Sequence, residues 1–185
     1  MSGLLAILAD QAAGAPDKAE QTLKKLIAAD PANLQAYTML GQLYLKEGRL
    51  EAARQEFARI AAQAPGSIAA RTMIGMILQA EARSAEARKT YEEVLAIDPH
   101  AAVAANNLAW MYLDNDRLDD ALRLALVAKE RLRRTPEVND TLGWIYVRRN
   151  QPSDAIGPLT EAVEARPENV LYREHLQTAR QKAQR

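Results

Sequence analysis

The chain has 185 residues, 48% hydrophobic and 26% charged, and its 24 basic and 24 acidic residues cancel. Zero net charge argues against a general attraction to nucleic acid or to an anionic membrane surface. With no cysteine there is no disulfide framework, thiolate metal site or cysteine nucleophile, and the redox compartment cannot be read.

Residues 1–13 predict a first helix with Leu4, Leu5, Ile7 and Leu8 on most of its sides. No Lys or Arg precedes this apolar run and Asp10 cuts it short, so it makes a poor signal peptide. It also falls far below the roughly 20 residues that span a bilayer, so direct membrane insertion is not expected. The chain reads as soluble, with no export signal of its own. Gly14, Ala15 and Pro16 make a turn, and residues 17–29 a second helix.

Residues 34–67 hold the pattern that organises the rest. Tyr37, Leu40, Gly41 and Tyr44 sit three and four apart, on one face of a helix. Gly48 ends that helix by accepting a left-handed turn. A second periodic run, Leu50, Ala53, Phe57 and Ile60, starts with Glu51 in its first turn and stops at Pro65. Gly41 returns as Gly75 and Gly143, with Ala109 in the remaining slot, at a step of 34 residues. Ala19, Ala53, Ala87, Ala121 and Ala155 keep the same step where two helices would approach closely, and Pro31, Pro65, Pro99 and Pro167 mark unit ends.

Residues 68–101 repeat the pattern with Ile74, Gly75, Leu78, Ala87, Tyr91 and Pro99, and Ser84 opens the second helix in the manner of an N-cap. Residues 102–135 carry Leu108, Ala109, Tyr112, Leu118, Ala121 and Ala128. Here Arg133 replaces the terminal proline, which predicts a second helix one turn longer, followed by Thr135 as cap and Pro136 at the first helical position. Lys129, Arg131, Arg133 and Arg134 form the most basic segment. It reads as a solvated helix end whose cations complement the dipole, with a phosphate or acidic-peptide contact as the alternative. Residues 136–169 contain Leu142, Gly143, Tyr146, Ala155, Leu159 and Pro167, with Pro158 expected to kink the second helix on the side away from the seam. Residues 170–184 read as a capping helix, with Tyr172, Leu176 and Ala179 inward and charged residues elsewhere.

The unit Tyr37, Leu40, Gly41, Tyr44, Ala53, Phe57, Pro65 resembles the tetratricopeptide repeat. The resemblance covers nearly the whole chain as repeats 1–33, 34–67, 68–101, 102–135 and 136–169 plus the cap, one domain over 1–185. It implies an all-α, right-handed α-α superhelix of about five helix pairs, a solenoid, and a protein-interaction scaffold that binds a partner segment. The segments around Asn106, Trp110, Asp140 and Trp144 are also similar to the carboxy-terminal repeats of bacterial proteins linked to exosortase and exopolysaccharide systems, which implies a bacterial envelope-linked scaffold, with the compartment left open between bacterial cytoplasm and periplasm.

Residues off the shared seam gather by the same step. Gln42, Met76, Trp110 and Trp144 follow each Gly or Ala slot. Three places earlier stand Met39, Met73, Asn107 and Thr141, and three places later Leu45, Gln79, Leu113 and Val147. The resemblance implies that this surface is a concave groove, centrally apolar at Met73, Met76, Trp110, Leu113, Trp144 and Val147. Asn106 and Asn107 would bond an extended backbone, and Asp114, Glu137, Asp140 and Glu174 would make an acidic rim. The groove is therefore expected at Met39, Gln42, Met73, Met76, Asn106, Asn107, Trp110, Leu113, Asp140, Thr141, Trp144 and Val147. The expected partner is a protein or peptide, not nucleic acid. The alternative is self-assembly of copies through the first apolar helix.

Catalytic groupings are not evident. His100 and His175 lie far apart in sequence, and no phosphate loop or nucleophile elbow occurs. Glu174 and His175 are neighbours, but adjacent helical residues diverge by about 100 degrees. Neither an enzyme, a cofactor nor a metal is expected.

Overall fold

The computed structural model describes residues 15–184. Among these residues the chain is all-α, with helices α1 (Pro16–Ala29), α2 (Leu34–Lys46), α3 (Leu50–Gln63), α4 (Ile68–Ala80), α5 (Ser84–Ile97), α6 (Ala102–Asp114), α7 (Leu118–Arg131), α8 (Pro136–Arg148), α9 (Pro152–Ala165) and α10 (Val170–Ala183). None of them is long and apolar enough to cross a membrane. The expected first helix with Leu4, Leu5, Ile7 and Leu8, and the self-association assigned to it, lie outside the described residues.

The chain divides into two compact units, residues 1–90 and 91–185. In the first, α2 packs against α1 and α3, and α3 against α4. Its core is Leu23, Tyr37, Leu40, Leu43, Tyr44, Phe57, Ile60 and Ile77. In the second, α8 is packed by α6, α7, α9 and α10, and α6 packs on α7.

Small residues at the repeat step let the helices close. Ala19, Ala53, Ala87, Ala121 and Ala155 are each 0% exposed. Gly41 and Gly143 are needed for a different reason. A Cβ on Gly41 would come within 2.8 Å of the Phe57 ring edge, and one on Gly143 within 2.4 Å of Leu159 Cγ. Where the step brings Ala109 to this slot, the position of Phe57 and Leu159 is taken by Ala125, and both alanines are fully buried. The volume added on one helix is removed from the other.

Among the described residues, four hairpin turns have a left-handed residue at the same step: Gly48 (φ 72°), Ala82 (φ 59°), Asp116 (φ 57°) and Asn150 (φ 59°). The next residue donates its N–H back to the helix, as Arg49 to Tyr44 O (2.8 Å), Arg83 to Leu78 O, Arg117 to Tyr112 O and Gln151 to Tyr146 O (each 2.9 Å). Asn and Asp tolerate this conformation, whereas Ala82 adopts it at a steric cost of about 1 kcal/mol.

Three local expectations need correction. Helix α7 has 14 residues, the same as α3, α5 and α9, so the loss of the terminal proline at Arg133 does not lengthen it. Leu132 N–H still caps Ala128 O and Thr135 N–H turns back to Leu132 O, so backbone bonds end the helix without proline. Thr135 precedes α8 but its side chain makes no capping bond, while Pro136 is at the first helical position as expected. Ser84 is itself helical rather than the cap before α5. Helix α9 runs from Pro152 to Ala165 through Pro158, which is half-buried, while Ala155 and Leu159 are fully buried. Helix α10 buries Tyr172, Leu176 and Ala179 as expected, and His175 joins them.

Candidate functional site

The first helix of each pair keeps its seam residues inward, and what remains on its surface is the candidate site. In the unit 1–90, Met39 and Met73 are half-buried, Gln42 is exposed and Met76 is 42% exposed. Gln42 and Met73, 31 positions apart on α2 and α4, line one hollow of about 250 Å³ with Thr38, Ser67 and Ala69.

In the unit 91–185, Trp110 on α6 and Trp144 on α8 occupy the same helical position one step apart, and both are half-buried. Asn107 Nδ2 donates to the Tyr91 hydroxyl at 3.1 Å. Burial pushes the Tyr91 phenol up to about 12, against the smaller opposite effect of the Asn107 bond, so it stays protonated. Asn106 Oδ1 is buried without a partner. A buried acceptor left unpaired costs about 1–3 kcal/mol.

Four expected groove residues do not face outward. Leu113 and Val147 are 1% exposed, and Asp140 and Thr141 are 4% exposed. The cause is the packing: α8 has four helical neighbours, so little of its circumference is left, and α6 is covered by both α7 and α8. Thr141 uses its hydroxyl on Glu137 O at 2.8 Å, a bond internal to α8.

Asp140 also leaves the acidic rim, because it is bonded in the interior. Its Oδ1 lies 2.8 Å from His175 Nδ1, with both side chains less than a tenth exposed. The His175 ring stacks on Trp144 with centroids 4.0 Å apart and an 11° tilt. The histidine's acidic partner is thus Asp140 and not the adjacent Glu174. The two residues lie 35 positions apart, one repeat step plus one residue. Asp114, Glu137 and Glu174 remain exposed, with Glu137 paired to Arg166 at 2.7 Å.

The edge at the hairpin turns is ionic. Arg49, Arg83 and Arg117 recur at the repeat step, each pairing with a nearby acid: Glu20 (2.7 Å), Glu86 (2.6 Å) and Asp120 (2.6 Å). Arg49 and Arg117 also lie over the Tyr44 and Tyr112 rings, at 4.1 and 4.0 Å. Arg49, with Lys24 and Tyr44, holds the Glu20 carboxyl down at about 2. Among the described residues no group of three or more His, Asp or Glu is arranged to hold a metal ion.

A family model described as tetratricopeptide repeat matches residues 11–77 and 78–145. The chain belongs to the tetratricopeptide repeat family. A search of curated proteins gave no match. Solved tetratricopeptide structures share the fold at low identity. A thermophilic repeat protein of Thermus thermophilus has a TM-score of 0.68 at 18% identity, over 96% of this chain and 97% of that one. MamA from Desulfovibrio magneticus RS-1 gives 0.70 at 18%, over 91% and 95%. YrrB, a repeat protein with an unusual peptide-binding site, gives 0.65 at 15%, over 91% and 87%. These likenesses establish the helix-pair architecture of this tetratricopeptide repeat protein.

Proposed function

We propose that this tetratricopeptide repeat chain is a protein-interaction scaffold that holds a partner segment on the outward faces of its first helices. The observation that carries the reading is the pair Trp110 and Trp144, which stand in register on α6 and α8 and keep aromatic surface at the same helical position. Leaving such a side chain unburied forgoes about 1.5–3 kcal/mol, which a partner's apolar residue can recover. In the unit 1–90, Met39, Gln42, Met73 and Met76 supply an adaptable apolar face with one amide. The favoured partner segment has apolar anchors and an exposed backbone.

Titrating intrinsic tryptophan fluorescence with peptides selected against the intact chain tests this. The expected result is a saturable emission shift, with affinity reduced about tenfold or more in Trp110→Ala. Unchanged affinity in both Trp110→Ala and Trp144→Ala would remove the proposal. That YrrB is described as having a peptide-binding site is consistent with the class of function proposed.

A further inference from the structure

The basic segment at the end of α7 borders a cleft that the first-helix faces do not use. The cleft has a volume of about 570 Å³ and is lined by Lys129, Arg133, Arg134, Asn139, Glu161 and Glu164, a size that suits a bound side chain or short segment. Its floor is fixed. Lys129 Nζ donates to Glu161 Oε2 at 2.6 Å, to Asn139 Oδ1 and to the carbonyl of Arg133 at 2.8 Å, and Asn139 Nδ2 donates to the same Glu161 oxygen at 3.0 Å. Three partners use all three ammonium protons, so the lysine serves as a strut and not as a free cation.

That strut holds the backbone of the loop in which Arg133 replaces the proline found at the other repeat ends. The substitution puts a guanidinium group where the other ends have a closed ring, and the adjacent Arg134 supplies a second. Arg133 and Arg134 are exposed, and neither side chain has an ionic partner among the described residues. Across the cleft Glu164 is likewise exposed and unpaired there. The cleft therefore has a free positive wall and a free negative one, on a frame held by the hydrogen bonds of Lys129 and Asn139.

We propose that this cleft is a second docking site, taking an acidic side chain of a protein partner at Arg133 and Arg134 while a neighbouring basic residue of the same segment meets Glu164. A guanidinium fork matches a carboxylate in two parallel bonds. The opposing carboxylates of Glu161 and Glu164 disfavour a continuous polyanion, so a mixed-charge peptide fits where a nucleic acid strand does not. The cleft shares no residue with the faces bearing Trp110 and Trp144, so the two sites can fail independently.

The test selects peptides from a random library on the intact chain and measures their affinity by fluorescence anisotropy. It compares wild type, Arg133→Ala/Arg134→Ala, Glu164→Gln and Trp110→Ala, with a labelled single-stranded oligonucleotide as a competing probe. Circular dichroism checks that each variant folds, which exposed side chains permit. The expected result is a peptide class with adjacent acidic and basic residues that loses about tenfold or more in the double arginine variant. That class loses less in Glu164→Gln and nothing in Trp110→Ala. Several outcomes would overturn the proposal: no such class, equal affinity for the double arginine variant, loss only in Trp110→Ala, or tighter binding of the oligonucleotide than of any peptide.

Discussion

The interiors of the two units differ in kind although the same repeat builds both. Within residues 15–90 the buried core is apolar, with Thr72 as its buried polar side chain, whereas residues 91–184 bury Asn139, Asp140, Thr141 and His175. The repeat step dictates the seam, where Ala, Gly, Leu and Tyr recur, but it leaves the remaining helix positions free to take their own chemistry. In α8, against which four helices pack, several of those positions become interior, and a polar group there must find a partner. Asp140 finds His175 on α10, a contact that ties α10 to α8.

The sharpest way to break this comparison is to remove one member of the polar pair. Asp140→Ala leaves a buried imidazole unpaired and should cost about 3 kcal/mol in urea unfolding. Thr72→Ala, in the apolar unit, should cost about 1 kcal/mol. Equal losses would mean that the buried pair contributes nothing beyond ordinary packing.

Next in size are the close approaches. Gly143→Ala should cost about 2 kcal/mol, because the clash is with the branch point of Leu159, and Gly41→Ala about 1 kcal/mol, because the Phe57 ring edge can tilt away. Thermal unfolding ranks them, and the reverse order would contradict the steric account. Combining Gly143→Ala with Leu159→Ala should cost less than the sum of the two, since it reproduces the natural Ala109 and Ala125 arrangement.

The smallest expected effect lies at the ionic edge. The Glu20 carboxyl sits near 2, below its ordinary 4.5, so its contribution is complete above the unfolded value and is lost as pH falls from there through about 2. Glu20→Gln should therefore cost about 1 kcal/mol near neutral pH, and the difference from wild type should vanish toward pH 2. A difference that grows on acidification would contradict the assignment.

The seam was legible because side-chain size is under direct steric control: a single step located every buried alanine from Ala19 to Ala155 in that series. Gly48 announced its left-handed turn, but Ala82, Asp116 and Asn150 adopt the same conformation under the pull of the hairpin bonds, and Ala82 carries no local sign of it. The expected groove was read from helix angles alone, which give direction but not cover. Leu113, Asp140, Thr141 and Val147 stand at the expected spacing along their helices and are nonetheless buried by the neighbouring ones. Asp140 and His175 were both visible as residues, yet their pairing depends on how adjacent first helices align, which is set in three dimensions.

On the proposed reading, seam positions hold the fold and the positions between them hold the partner. Leu108 and Trp110 stand two residues apart on α6, the first 2% exposed and the second half-buried. Measuring unfolding free energy and peptide affinity on Leu108→Ala and Trp110→Ala together tests this division most directly. Leu108→Ala should lose about 3 kcal/mol of stability and keep its affinity in the folded fraction, while Trp110→Ala should lose less stability and about tenfold or more in affinity. Equal destabilisation by both, with affinity unchanged in Trp110→Ala, would contradict it.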